Sequence, residues 1–129
     1  MPEFKRGDIW EIDFDPQLGS EISKRRPALI LSTNRFNIIS EHTGVVIVVP
    51  GTSKRQENPR TQRLVTGYWE VAPSNFNGLR KETYFIAHQV RTVSIGRLKK
   101  RIGCLESPHR KQVAFMIAEL LGLYEDLGQ

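Results

Sequence analysis

Val45-Val46-Ile47-Val48-Val49-Pro50-Gly51-Thr52 is the stretch on which the fold turns. Its first five residues are apolar and β-branched, too few for a helix, and closed by Pro-Gly. They read as a strand over 45–49 buried on both faces. Ala28-Leu29-Ile30-Leu31 has the same character and predicts a second doubly buried strand. Nearer the N-terminus, residues 8–14 alternate, with Trp10, Ile12 and Phe14 on one face and Glu11 and Asp13 on the other, as a half-buried strand does. Further strands are expected near 62–65, 68–71, 83–87 and 90–93, with a turn region over Ser74–Gly78. A short helix is expected over Ser94–Arg101 with Ser94 as N-cap. A longer one is expected over about 108–121, with Ser107 as N-cap and Pro108 at the first helical position. Its stripe of Val113, Met116, Ile117, Leu120 and Leu121 packs on the sheet, and Gly122 ends it. Many strands followed by a helix predict a small, β-dominated α+β barrel, one domain over residues 1–129.

The composition bounds the function. At 39% hydrophobic and 26% charged over 129 residues, the chain can bury one core and does not read as disordered. No run approaches the roughly 18 apolar residues of a membrane span, and no apolar signal segment follows Met1-Pro2-Glu3-Phe4-Lys5-Arg6, so no membrane is expected. A single cysteine, Cys104, excludes a disulfide framework and a thiolate zinc site within one chain, and the expected setting is the reducing cytoplasm. Lys plus Arg number 19 against 14 Asp plus Glu, a net charge of +5. The excess gathers at Lys54, Arg55, Arg60 and Arg63, and again between Arg91 and Lys111. Such segments suit an anionic partner, nucleic acid first; a solvated basic face is the other reading.

Two long loops hold the candidate chemistry. The first, from Asp15 to about Arg25, contains Gly19, free to turn tightly, and places the Ser20 hydroxyl beside the Glu21 carboxylate. Arg26 precedes Pro27, which favours extended backbone at the entrance of a buried strand, and its planar fork suits a phosphate. The second begins at Pro50-Gly51-Thr52-Ser53-Lys54-Arg55, hydroxyls at the end of a rigid strand next to positive charge. His42 is expected in a turn, His88 in a strand and His109 near a helix start, with no pairing by spacing. Asp13 and Asp15 make a poor magnesium site without further acids, so no metal and no cofactor are expected.

Together these pieces resemble one family. Arg6-Gly7-Asp8-Ile9-Trp10, Asp13-Phe14-Asp15-Pro16, Gly19-Ser20-Glu21, Arg26 to Leu31, Val49-Pro50-Gly51-Thr52 and Gln89-Val90-Arg91-Thr92-Val93, with Arg97-Leu98 after them, follow the order and approximate spacing of the MazF/PemK toxins. The resemblance covers nearly the whole chain. It implies a small SH3-like (CcdB/PemK-type) β-barrel with a C-terminal helix, a homodimer, metal-independent cleavage of single-stranded RNA at short sequences, and inhibition by a cognate MazE/PemI-like antitoxin. Arg26 matches the family's catalytic arginine, Thr52 its catalytic threonine, and Ser20 and Glu21 its loop residues at the scissile phosphate. Gly19, Lys24, Arg25, Ser53, Lys54, Arg55 and Gln89 make up the expected RNA-binding set. Ile22-Ser23-Lys24-Arg25 departs from the family, where many members have Gln and small residues. This makes Arg25 a competitor for the role of Arg26 and bears on which RNA is chosen.

Two other classes share these features. A CcdB-like gyrase poison has this barrel and acts by binding protein, but through a C-terminal Trp-Gly-Ile, where this chain has Leu127-Gly128-Gln129. A non-catalytic RNA- or DNA-binding barrel needs only the basic loops.

Overall fold

A computed structural model describes residues 3–16, 18–21 and 24–128. Among these, the strands are β1 (Asp8–Asp13), β2 (Arg25–Ile30), β3 (Val45–Thr52), β4 (Tyr68–Val71), β5 (Thr83–Ile86), β6 (Arg91–Ser94) and β7 (Leu98–Cys104). Short helices α1 (Asn34–Ile38) and α2 (Ser40–Thr43) join β2 to β3, and α3 (Ser107–Leu120) and α4 (Leu123–Asp126) close the chain. No helix among the described residues is long and apolar enough to cross a membrane.

The strands pair antiparallel in the order β4-β5-β3-β2-β1-β7, with β6 also on β3. Strand β3 serves two neighbours on one edge: Val45–Val48 pair with β6, while Gly51 and Thr52 pair with β5. The residues of β1, β2 and β3 alternate between two cores. Trp10, Ile12, Ala28, Ile30, Val46 and Val48 pack with Phe4, Phe14, Val93 and Leu98 in an inner core. Ile9, Leu29 and Val49 face outward, against Phe85, Leu105 and the α3 side chains Val113 and Ile117. That division is why β2 and β3 are apolar without alternation. Val93 of β6 and Leu98 of β7 meet in one core, so the sheet curls, helped by register shifts along β1–β7 at Ile9/Trp10 and Glu11/Ile12. The β-dominated α+β architecture with a C-terminal helix is as expected. The expected barrel is not closed: among the described residues no ladder joins β4 to β7.

Five local expectations change. Residues 62–65 form no strand; Gln62 takes a left-handed φ of 58°, its N–H donates to the Asn58 carbonyl at 2.8 Å, and only the bridge Glu57–Leu64 remains. Ser94 does cap a helical turn, accepting from Gly96 N–H, but that turn covers only Ile95–Arg97, and Leu98 begins β7. Helix α3 starts one residue early, with Glu106 in the capping position and Ser107 already helical, and Gly122 at φ 68° ends it. His42 lies in α2, and His88 in a 3-10 turn over Ala87–Gln89 rather than in a strand.

Candidate active site

The β2–β3 ladder matches Ile30 with Val48, Leu29 with Val49 and Ala28 with Pro50. Extended two residues outward in the same register, it sets Arg26 opposite Thr52. Their side chains meet there: Arg26 Nη1 donates to Thr52 Oγ1 at 3.2 Å. Gly51, one residue inward, permits this closeness. A Cβ at Gly51 would stand 2.7 Å from Thr83 Cγ2 and 3.3 Å from the Pro27 carbonyl oxygen. Thr52 is buried and its Oγ1 also accepts from Lys54 N–H at 3.2 Å. Two donors thus occupy the acceptor directions of the hydroxyl. Among the described residues it donates to no group, so its proton is free for a ligand.

Directly opposed residues of an antiparallel pair project to the same face. Arg26 is opposite Ile12, and Thr52 is opposite Tyr84. The rung therefore belongs to the inner-core face. Arg91, opposite Val48, is on that face too, its guanidinium 5.8 Å from the centre of the Phe14 ring. Arg91 carries the first loop with it: Arg91 Nη1 is 3.6 Å from Glu21 Oε2, and Gln89 Nε2 donates to the Ser20 carbonyl at 3.3 Å. Gly19, at φ 56°, makes the turn, and Glu21 Oε1 accepts from Leu18 N–H at 3.1 Å. Arg26 with Thr52, and Glu21 with Arg91, are thus two polar pairs on one face.

The rest of the expected set is distributed otherwise. Lys24 is exposed, held by its N–H on Asp15 Oδ1 at 2.9 Å. Arg25 points to the other face, 3.8 Å from Glu11. Arg55 lies over the Tyr84 ring and pairs with Glu57 at 2.7 Å and Glu70 at 3.1 Å; the Glu57 hydrogen bond, with one to Tyr84, raises its pKa further. Ser53 and Lys54 are exposed beyond Thr52, and Ile22 and Ser23 lie outside the described residues. His109 Nδ1 accepts from Trp69 Nε1 at 2.9 Å, fastening α3 to β4, and His88 packs edge-on against Tyr68. Asp13 and Asp15 bind backbone N–H groups of the first loop, and their carbonyls accept from Arg97 Nη1. Among the described residues no group of three or more His, Cys, Asp or Glu side chains is placed to hold a metal ion.

Behind the rung, on the outer face, is a cleft of about 510 Å³ that shares Arg26, Thr52 and Ser53 as its rim. Its walls bring in Arg80, Lys81, Lys100 and Arg101. Of these, Lys100 and Arg101 lie in a basic segment visible in the sequence. Arg80 and Lys81 carry no such signal, because Glu82 follows them and the pairing that brings them here is long-range.

A family model described as "PemK-like, MazF-like toxin of type II toxin-antitoxin system" matches residues 5–121. Endoribonuclease MazF9 of Mycobacterium tuberculosis is 32% identical over 125 residues, which is 95% of this chain and 97% of that protein. A crystal structure of MazF from Deinococcus radiodurans superposes with a TM-score of 0.70 at 25% identity, covering 92% of this chain and 96% of that one. A crystal structure of MazE–MazF from the same organism gives a TM-score of 0.64 at 25% identity, covering 92% and 95%.

Proposed function

The chain belongs to the family of PemK-like, MazF-like toxins of type II toxin–antitoxin systems, and we propose that it cuts single-stranded RNA at the Arg26–Thr52 rung. The observation that carries this reading is the rung itself, a guanidinium and a proton-bearing hydroxyl fixed 3.2 Å apart at the end of a rigid ladder. The likeness to a protein named an endoribonuclease supports RNA as the substrate and favours neither a gyrase poison nor a non-catalytic barrel.

The substrate's own 2′-OH is the nucleophile. It attacks the adjacent phosphorus, the bond from phosphorus to the 5′ oxygen breaks, and the products carry a 2′,3′-cyclic phosphate and a 5′-OH. Arg26 neutralises the charge that builds on the phosphoryl oxygens. A guanidinium already carries its proton, so it is the wrong group to take up another. Thr52 Oγ1, both acceptor directions filled, donates a hydrogen bond to the phosphoryl or leaving oxygen, and the leaving 5′ oxygen takes its proton from water. Glu21, on the same face and oriented by Arg91 and Leu18 N–H, receives the 2′-OH proton. Ser20, Gly19 and Gln89 shape the loop over the RNA, and Lys24, Ser53 and Lys54 flank it.

The protein acts as a single-domain cytoplasmic toxin, a homodimer silenced by a MazE/PemI-like antitoxin; the likeness to the Deinococcus radiodurans MazE–MazF structure supports the last point. The test is incubation of the purified full chain with single-stranded RNA in excess EDTA. Cleavage should persist, because Arg26 supplies the neutralisation of phosphoryl charge that a metal ion would otherwise give. Activity abolished by the chelator and restored by a divalent ion would overturn this chemistry.

A further inference from the structure

The cleft on the outer face meets the chemistry just described at its rim, where it shares Arg26 and Thr52, and most of its wall lies beyond them. Alternation along the strands puts Glu11, Arg25, Pro27 and Gly51 on that face, opposite to the side chains of Arg26 and Thr52. Apart from Arg26 on the rim, its cations divide into two sets. Arg25 stands 3.8 Å from Glu11, and Arg101 3.4 Å from the buried Asp8. Arg80, Lys81 and Lys100 line the same cleft, are exposed, and form no ion pair among the described residues. Lys100 is the cross-strand neighbour of Glu11, so it projects to the cleft side.

The wall that carries Arg80 and Lys81 is firmly built. Asn77 is fully buried; its Oδ1 accepts from Ser74 N–H at 2.9 Å and Leu79 N–H at 3.0 Å, and its Nδ2 donates to the Ala72 carbonyl at 3.0 Å. Gly78, at φ 69°, lies so close to β7 that a Cβ there would be 2.2 Å from the Ile102 carbonyl oxygen. Thr83 Oγ1 then donates to the Lys81 carbonyl at 3.0 Å. Unpaired cations on a fixed concave wall focus potential on whatever anion enters.

Resting on the ribonuclease reading above, we propose that this cleft is the track for the RNA beyond the cleaved linkage. The strand passes the Arg26–Thr52 rung, turns over the end of the β2–β3 ladder, and lays its next phosphates against Arg80, Lys81 and Lys100. Leu79 and Pro27 give its bases an apolar wall.

The test first maps a cleavage site with wild type on a long transcript. It then measures binding of fluorescent single-stranded RNA carrying 2′-deoxyribose at that site, across a range of salt concentrations. The triple variant Arg80→Ala, Lys81→Ala, Lys100→Ala is compared with wild type and with Lys111→Ala, an exposed cation on α3. Circular dichroism checks that each variant is folded. For single strands, each lost phosphate contact flattens the plot of log K against log salt by about 0.7, so the triple variant should lose about 2 from the slope. The control should keep the wild-type slope. Wild type should also gain affinity as the oligonucleotide is lengthened past the cleaved linkage, and the triple variant should not. A wild type that cuts no RNA removes the ribonuclease reading. A wild type that cuts, beside a triple variant with unchanged slope and length dependence, overturns the track alone. Unchanged RNA binding with weakened binding of an acidic peptide would assign the cleft to a protein partner and overturn it too.

Discussion

At Arg26 and Thr52 a hydrogen bond of 3.2 Å joins two residues 26 positions apart, and most of the proposed chemistry hangs on that bond. Arg26→Ala should lower the cleavage rate at least about a hundredfold, equivalent to roughly 3 kcal/mol of transition-state stabilisation. Its melting temperature should stay close to wild type, because Arg26 stands at the end of the ladder and belongs to neither apolar core. Arg25→Ala should have the smaller kinetic effect, since Arg25 faces the outer side beside Glu11. An inactive Arg25→Ala beside an active Arg26→Ala would show that the register has been assigned to the wrong arginine. Thr52→Val keeps the shape and removes the donated proton, and should cost cleavage while leaving RNA binding nearly intact. A substrate with 2′-deoxyribose only at the cleaved position should bind and resist cutting; normal cleavage of it would rule out the internal nucleophile. Both residues of the rung are legible in the sequence because each stands at the mouth of an apolar run. Arg91 and Tyr84 are not legible as neighbours of the site, since their approach depends on how β3 pairs with β6 and β5. Arg55, basic and beside the rung in sequence, is held instead by Glu57 and Glu70.

Among the elements, the doubly buried strands are the easiest to read, because unbroken β-branched runs have few other uses. Strand β7 is the hardest. Leu98-Lys99-Lys100-Arg101 has good helix formers and only one apolar residue. It becomes a strand because the free edge of β1 offers backbone partners, with Leu98 opposite Ile12 and Arg101 opposite Trp10. Glycines set the approach of elements to one another, and Gly51 sets the rung. Gly51→Ala would put a methyl 2.7 Å from Thr83 Cγ2 on a buried strand. It should destabilise the fold by about 1–3 kcal/mol and displace Thr52, so that melting temperature and cleavage fall together. The junction between β7 and α3 makes a different prediction. Burial pushes the Glu106 carboxyl up, but hydrogen bonds from Ser74, its own backbone and Asn77, with His109 nearby, outweigh it and hold the pKa below the ordinary 4.5. A carboxylate with a lowered folded pKa contributes its full stability above the ordinary value, and loses it as pH falls through the lower, folded one. Glu106→Gln cannot titrate. The melting-temperature advantage of wild type over Glu106→Gln should therefore be largest near neutrality and shrink below about pH 4.5. An advantage independent of pH would show that the clamp acts without its charge.

On the scale of the whole molecule, the curled sheet separates two tasks that share one edge. Its inner face ends in the Arg26–Thr52 and Glu21–Arg91 pairs, and its outer face ends in a cleft lined by Arg80, Lys81 and Lys100. Cations of both faces therefore meet where an RNA strand would pass over the end of the β2–β3 ladder. A toxin built this way must be silenced in its own cell, and the same cations give an inhibitor its hold. An antitoxin segment with acidic residues interleaved with apolar ones would set its carboxylates near Arg26 and Lys54, where phosphates otherwise lie. Its apolar side chains would fill a groove along the strands. Such a segment is expected to be disordered when free and to order on binding, which suits a switch controlled by proteolysis. The expectation has a double signature. Antitoxin peptide and RNA should displace each other from the full chain in a competition assay. The affinity of the peptide should also fall as salt rises, because exposed charges are screened beyond about 10 Å at 0.1 M ionic strength. Arg26→Ala should weaken both ligands in parallel, whereas Lys111→Ala on α3 should weaken neither. Simultaneous binding of both ligands, with cleavage unaffected, would place the partner elsewhere on the molecule and leave the RNA face to RNA alone.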